Sequence, residues 1–114
     1  MRRFASLGLF AALVLAAVGL AQHWQERATV QVLTQQARPG DIVMYTTTEC
    51  PYCAQARRWM TQRDVPYTEC NISVSPACQQ AYEQLRAVGV PTLVVKGQRQ
   101  TGFDAERVAR AVAR

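Results

Sequence analysis

The sequence predicts an α/β sandwich in which helices cover a four-stranded mixed sheet, with elements in the order β-α-β-α-β-β-α after an apolar N-terminal helix. Three observations support this prediction. An apolar, strand-like run at 42–45 leads into a helix start at Pro51. A second helix start, Ser75-Pro76, separates two further strand-like runs. The turn at 96–98 joins the last two strands, and so short a connection permits only antiparallel pairing.

The N-terminal segment is the most apolar part of the chain. Arg2 and Arg3 precede a run of about 18 apolar and small residues that ends at Ala21. A basic start, an apolar centre and small residues at the end are typical of a secretory signal cleaved after Ala21. The run is also long enough to stay as a membrane anchor, with the arginines on the cytoplasmic side. Both alternatives place the rest of the chain outside the cytoplasm, as a periplasmic, secreted or outward-facing anchored protein.

The chain divides into three predicted segments. Residues 1–21 form the signal peptide or N-terminal membrane anchor, residues 22–40 a stalk or loosely helical linker, and residues 41–114 the folded domain. The linker is mostly polar, and Pro39-Gly40-Asp41 interrupts the chain before the first strand. A length of 114 residues allows one small domain.

The elements of the domain follow from strand-like runs and from cap residues. Asp104 is the expected N-cap of the last helix, with Phe103 and Val108 as a hydrophobic staple. The predicted strands are Ile42–Tyr45, Val65–Asn71, Thr92–Val95 and Arg99–Thr101. The predicted helices begin at Pro51, at Pro76 and after Asp104, and the first two end near Arg63 and Val88.

The most informative motif is Cys50-Pro51-Tyr52-Cys53, which places two thiols one helical turn apart directly after a strand. Pro51 suits the first helical position, and the unpaired N–H groups of a helix start favour a thiolate at Cys50. Thiol–disulfide exchange needs one thiolate that attacks a disulfide and a second thiol that resolves the product. Cys50 and Cys53 are therefore the predicted catalytic, redox-active pair.

This motif and three other segments, one before it and two after it, resemble the glutaredoxin family of the thioredoxin-like superfamily. The resemblance implies a thioredoxin-like fold with Cys50 as nucleophile and Cys53 as resolving thiol. It also implies a cis peptide bond before Pro91, facing the dithiol, and a backbone edge at Val90 for an extended substrate. The segments that carry it, within a likeness spanning Ile42 to Arg114, are Tyr45-Thr46, Gly89-Val90-Pro91-Thr92 and Gly102-Phe103-Asp104.

The same resemblance implies a site for glutathione as a co-substrate, with no bound cofactor and no metal. Gly102, Phe103 and Asp104 match the family's site for the glutamyl end, where a helix start receives a carboxylate. Asp104 either meets an ammonium group there or serves only as a cap, and Tyr52 either lines the site or packs. Thr47 stands where the family usually has lysine, three residues before the first cysteine.

Cys70 and Cys78 form a second candidate pair, near the predicted strand end and helix start. The close pairing of the other two cysteines leaves these as the natural remainder, and in an exported domain they are expected to form a structural disulfide worth about 2–3 kcal/mol. A second redox relay and a four-cysteine zinc site are alternatives, although the spacing lacks a second zinc knuckle.

Charge and composition narrow the choice of partners. The net charge of +5 includes Arg2 and Arg3, and the other basic residues are scattered, which argues against nucleic acid. The expected partners are disulfide-containing proteins or glutathione, an unidentified electron donor, and a membrane if the N-terminal segment stays uncleaved.

The predicted function is that of a dithiol, glutaredoxin-like thiol–disulfide oxidoreductase that reduces or exchanges disulfides outside the cytoplasm. Two alternatives remain. One is a periplasmic thiol oxidase or isomerase of thioredoxin-like type, which a more oxidising potential would distinguish. The other is a metal or iron–sulfur carrier that uses the Cys50 sulfur.

Overall fold

The computed structural model describes all 114 residues and confirms the predicted order of elements. An N-terminal helix precedes four strands and three further helices. These elements are α1 (Arg2–Gln36), β1 (Ile42–Thr46), α2 (Pro51–Gln62), β2 (Thr68–Asn71), α3 (Pro76–Gln84), β3 (Thr92–Val95), β4 (Gln98–Thr101) and α4 (Ala105–Val112).

The four strands form one mixed sheet in the order β2-β1-β3-β4. β1 pairs parallel with β2 and antiparallel with β3, and β3 pairs antiparallel with β4. The β3–β4 turn places Lys96 at φ 47° and Gly97 at φ 80°. Positive φ at both central residues gives the hairpin turn whose twist matches that of the strands. The short connection thus produces the antiparallel pair that the sequence predicted.

The main core lies between the sheet and the layer formed by α1, α2 and α4. Met44 of β1 and Leu93 of β3 are register partners, and both are 0% exposed. Met60 of α2 and Val108 of α4 belong to the same buried cluster. The opposite face carries α3, where the Tyr82 ring lies 6.4 Å from that of Tyr45. The sheet therefore has a well-packed face and a more lightly covered one.

Two predicted boundaries are wrong. β2 begins at Thr68, not Val65. The Val65 N–H bonds back to the Met60 carbonyl at 3.0 Å and its side chain enters the core, so this residue closes the end of α2. α3 ends at Gln84, not Val88, because Arg86 adopts φ 53° and takes the chain out of the helix.

The N-terminal helix extends beyond the apolar run. Its most apolar 18-residue window has a mean hydropathy of 2.3 and no buried residue, which is sufficient for a membrane span or a signal sequence. Residues 22–40 were expected to be a stalk or a loosely helical linker; in the structure they are regular helix as far as Gln36, and Leu33 is 1% exposed in the main core. Residues 22–36 are held as helix because Thr29 and Leu33, four residues apart, both turn inward. Cleavage of residues 1–21 and the domain start at residue 41 stay predictions.

Candidate active site

Cys50 occupies the N-cap of α2, where the sequence placed it. Its backbone is extended, and its sulfur accepts a hydrogen bond from the Cys53 amide at 3.1 Å. Pro51 takes the first helical position, where its missing N–H leaves no helical bond unmade. The same amide that contacts the sulfur here is in position to stabilise a Cys50 thiolate after reduction.

The two cysteines are joined as a disulfide, with Cα atoms 5.2 Å apart. Cys53 is 0% exposed, whereas Cys50 is partly exposed. The outer sulfur is therefore accessible to an incoming disulfide, and the inner sulfur is sheltered one turn away. This asymmetry is what separate attacking and resolving roles require.

The loop before β3 contains a cis peptide bond between Val90 and Pro91, as the resemblance implied. Both residues line the same groove as Tyr52 of the motif. Pro91 is buried, and its carbonyl accepts a 2.8 Å hydrogen bond from the Gly102 amide. The Gly89 carbonyl accepts a hydrogen bond from the Thr92 hydroxyl at 2.6 Å. These bonds hold the start of α4 beside the proline loop.

A groove of about 390 Å³ runs along α2 from Tyr52 to Trp59 and faces the proline loop and the segment before α4. Of the predicted site residues, it is lined by Tyr52, Val90, Pro91, Gly102 and Phe103. None of its lining residues is charged. Cys50 and Cys53 themselves do not line it; because Tyr52, which lies between them in the chain, does, we call it the active-site groove.

Asp104 does not line the active-site groove. Its Oδ1 atom accepts hydrogen bonds from the amides of Glu106 and Arg107, at 3.1 and 3.2 Å. These bonds satisfy two of the free N–H groups at the start of α4, so the carboxylate acts as the helix cap. Of the two roles that the sequence allowed for Asp104, capping is the one with hydrogen bonds in the structure.

The part of Trp59 in the groove was not predicted from the sequence. The side chain is half-buried, and its ring lies 5.6 Å from that of Phe103 at an interplanar angle of 57°. Tyr52, Gln55, Ala56 and Trp59 recur at the spacing of one helix face, and this pattern was the available signal.

Arg57, one turn beyond Cys53, is paired with Glu69 of β2. Its Nε donates to Glu69 Oε2 at 2.9 Å, a second guanidinium nitrogen binds Oε1, and the Thr46 hydroxyl donates to Oε1 at 2.9 Å. The hydrogen bond with Arg57 is the main reason that the pKa of Glu69 is lowered, and it also raises the pKa of Arg57. The charge of Arg57 is therefore matched locally.

The second cysteine pair is also a disulfide, with the Cα atoms of Cys70 and Cys78 5.4 Å apart. It joins β2 to the first turn of α3. Ser75 caps that turn by accepting a hydrogen bond from the Cys78 amide at 3.2 Å. The two disulfides engage all four cysteines.

The family model for glutaredoxin matches residues 42–100, which include β1, the dithiol motif and the proline loop. This chain belongs to the glutaredoxin family. The match covers more than half of the chain and confirms the resemblance seen in the sequence. No curated protein gives a significant match to this glutaredoxin.

Solved structures confirm the thioredoxin-like fold. The thioredoxin-like protein BC3987 has 24% identity, a TM-score of 0.54, and coverage of 61% of this chain and 97% of its own. A buckwheat glutaredoxin–glutathione complex has 16% identity and a TM-score of 0.52, and the match covers 76% of this chain and 89% of the buckwheat chain. The glutaredoxin of Archaeoglobus fulgidus has 17% identity and a TM-score of 0.51, and the match covers 63% of this chain and 85% of the archaeal chain. The family and the fold are those of thiol–disulfide redox enzymes, and the Cys50–Cys53 pair fits their CxxC site.

Proposed function

We propose that this glutaredoxin is a dithiol oxidoreductase that reduces or exchanges disulfides outside the cytoplasm through Cys50 and Cys53. The observation that carries the proposal is the asymmetry of the pair. Cys50 is a partly exposed residue at a helix start, with its sulfur 3.1 Å from a backbone amide, whereas Cys53 one turn along is fully buried.

The reaction proceeds in two exchanges. In the reduced protein, the Cys50 thiolate attacks a substrate disulfide, a bond forms between Cys50 and one substrate sulfur, and the other substrate sulfur leaves as a thiolate. Cys53 then loses its proton and attacks the Cys50 sulfur, which releases the second substrate thiolate. The Cys50–Cys53 disulfide of the structure is the oxidised product of this sequence. A thiol donor returns two electrons to it.

Glutathione is the proposed small co-substrate, on the analogy of the buckwheat protein, whose structure contains it. In this chain, the Val90 backbone, Gly102 and Phe103 are the residues of the groove offered for it. Thr47 and the uncharged groove lining provide fewer ion pairs for its carboxylates than a lysine would. We therefore expect glutathione to bind weakly and protein disulfides to be the main substrates.

The proposed extracytoplasmic location has two supports. The apolar half of α1 is long enough to be a signal anchor or a signal peptide. The Cys70–Cys78 disulfide is of the kind that persists in oxidising compartments.

The test uses two variants of the dithiol. Cys50→Ser should abolish turnover of a small disulfide, because the attacking sulfur is removed. Cys53→Ala should keep the first exchange and accumulate the mixed disulfide, which mass spectrometry detects as a covalent adduct on Cys50. The matched control is the Cys70→Ser/Cys78→Ser double variant, which should retain turnover. Undiminished turnover in Cys50→Ser would contradict the proposal.

A thiol oxidase or isomerase is the second candidate, and the Cys70–Cys78 disulfide favours it because an oxidising compartment also suits that direction. A redox titration of Cys50–Cys53 against glutathione distinguishes the two. A reduction potential of about −120 mV is that of a strong oxidant, whereas about −200 to −230 mV is typical of glutaredoxins.

A further inference from the structure

α1 and α4 run side by side in the same direction. A cavity of about 190 Å³ between the start of α4 and α1 is lined by Gln22 and Gln25 on one side and Ala105 on the other. At the opposite end, a cavity of about 520 Å³ is lined by Gln36 together with Val112. The Gln22 end of the domain-packed part of α1 therefore lies beside the start of α4, and the Gln36 end lies beside its end.

The start of α4 is also the end of the domain that carries the active-site groove. Gly102 and Phe103, directly before α4, line the groove, and the Gly102 amide binds the Pro91 carbonyl at 2.8 Å. Trp59 lines both the groove and the cavity beside Gln22. The groove and Gln22 thus lie at the same end of the domain.

The orientation of α1 against the domain is fixed by specific contacts. Leu33 is 1% exposed in the main core. Glu26 forms an ion pair with Arg63 at 2.7 Å, and the Arg63 guanidinium lies 4.5 Å from the centre of the Trp59 ring. α1 is one continuous helix from Arg2 to Gln36. Its apolar half therefore leaves the domain from the active-site end.

The dimensions place that end at a membrane surface. At a rise of about 1.5 Å per residue, the apolar run 4–21 is about 27 Å long, close to the thickness of the hydrocarbon core. Gln22 is the first polar residue after this run, and Trp24, which is 67% exposed, follows two positions later. Tryptophan is enriched at the membrane–water interface, so this region belongs at the level of the lipid headgroups.

We propose that, with α1 retained as an anchor, the active-site groove faces the outer surface of the bilayer, and that its substrate is a disulfide in a segment of a membrane protein lying at that surface. The proposal depends on the proposed function and specifies the substrate class of the same site. An uncharged groove with an aromatic wall of Trp59 and Phe103 suits the apolar side chains of such a segment. A soluble folded substrate would have to enter between the domain and the lipids.

The first test measures orientation with the full chain in phospholipid vesicles. The chain has two tryptophans, so Trp24→Phe leaves Trp59 as the only one. Lipids with a nitroxide on the headgroup should quench Trp59 several-fold more than a tryptophan at the far end. The control is Gln98→Trp in the Trp24→Phe/Trp59→Phe background, on the exposed strand start next to the β3–β4 turn. Equal quenching at both ends would overturn the proposal.

The second test measures the consequence for substrates. A seven-residue helical insertion between Ala21 and Gln22 lifts the domain by about 10 Å and nearly preserves the helix phase. Turnover of a lipid-anchored peptide disulfide should fall about tenfold, while turnover of a small soluble disulfide is unchanged. Unchanged turnover of the lipid-anchored peptide, or recovery of the protein from cells only as a form beginning at Gln22, would contradict the membrane-facing site. Loss of soluble-disulfide turnover in the uninserted chain would instead contradict the proposed function.

Discussion

The sulfur of Cys50 has a backbone amide as its hydrogen-bond donor, and no charged side chain is bonded to it. Arg57, one turn beyond Cys53, forms an ion pair with Glu69. The thiolate proposed at Cys50 therefore depends mainly on the start of α2, an effect of about 0.3–1 kcal/mol at an exposed site. This makes the first exchange sensitive to any charge added at the end of β1.

Thr47→Lys tests that sensitivity. A lysine at this partly exposed position should favour both the Cys50 thiolate and a glutathione carboxylate, and raise kcat/KM for a glutathionylated peptide about fivefold, or ~1 kcal/mol. Thr48→Lys is the matched control, because Thr48 is the next residue in the chain but its side chain lies towards Asn71. An equal gain in both variants would indicate a general charge effect and contradict a specific role for position 47.

At this scale, the sequence predicted what the motif itself encodes. Cys50 at the helix start was correctly placed from the spacing of the motif, and the cis bond before Pro91 was correctly expected from the resemblance to glutaredoxins. The roles of Asp104 and Trp59 were not decided in advance. An aspartate that caps a helix and one that meets a ligand occupy the same position in the chain, and only the neighbouring amides distinguish them.

Among the elements, α2 is tied to the sheet by Arg57, Glu69 and Thr46. Because the folded-state pKa of Glu69 is lowered, its contribution to stability is present above its unfolded pKa and is lost as the pH falls through the folded value. Glu69→Gln should therefore lower the free energy of unfolding near neutral pH by about 0.5–1 kcal/mol, after solvent screening, and flatten its decline in acid.

Urea unfolding at a series of pH values between about 6 and 3 measures this effect. Glu83→Gln, at an exposed position of α3 without an ion pair, is the control and should follow the parent protein at every pH. A Glu69→Gln protein whose stability declines in acid as steeply as the parent protein would show that the ion pair does not stabilise the fold.

No residue of α3 is buried. The Cys70–Cys78 disulfide therefore provides much of its attachment to β2. The Cys70→Ser/Cys78→Ser variant should lose about 2–3 kcal/mol of stability, measured by urea unfolding, because the unfolded chain regains the freedom of a short closed loop. Turnover by Cys50 and Cys53 should persist at temperatures where the variant is folded. Unchanged stability would show that packing alone holds α3.

Element types were predictable because strand runs and cap residues recur in order, but two ends were not. Val65 resembles the start of a strand, yet core packing at the end of α2 determines its position. Val88 fits the pattern of a helix, yet it is 89% exposed beyond the left-handed residue Arg86. The start of β2 and the end of α3 therefore could not be predicted from the local sequence pattern.

Over the whole molecule, the largest difference from the prediction concerns residues 22–36. Their polar composition indicated a stalk or loosely helical linker, whereas the structure has regular helix whose Leu33 is buried in the core beside the partly buried Val32. Leu33→Ala should lower the free energy of unfolding of the full chain in detergent by about 2–5 kcal/mol. Val88→Ala, at a side chain that is 89% exposed, is the control and should change it by less than about 0.5 kcal/mol. A negligible effect of Leu33→Ala would restore the interpretation as a separate stalk.

The Cys70–Cys78 bond finally restricts how electrons can reach this glutaredoxin. The Cys50–Cys53 pair lies at the start of α2, and the Cys70–Cys78 pair joins β2 to α3 on the other face of the sheet. A donor reducing enough to open both pairs would free α3 from β2 while it reduces Cys50–Cys53. A reductase that docks on the groove delivers electrons to one pair and spares the other. We therefore expect the donor that reduces Cys50–Cys53 to leave Cys70–Cys78 intact.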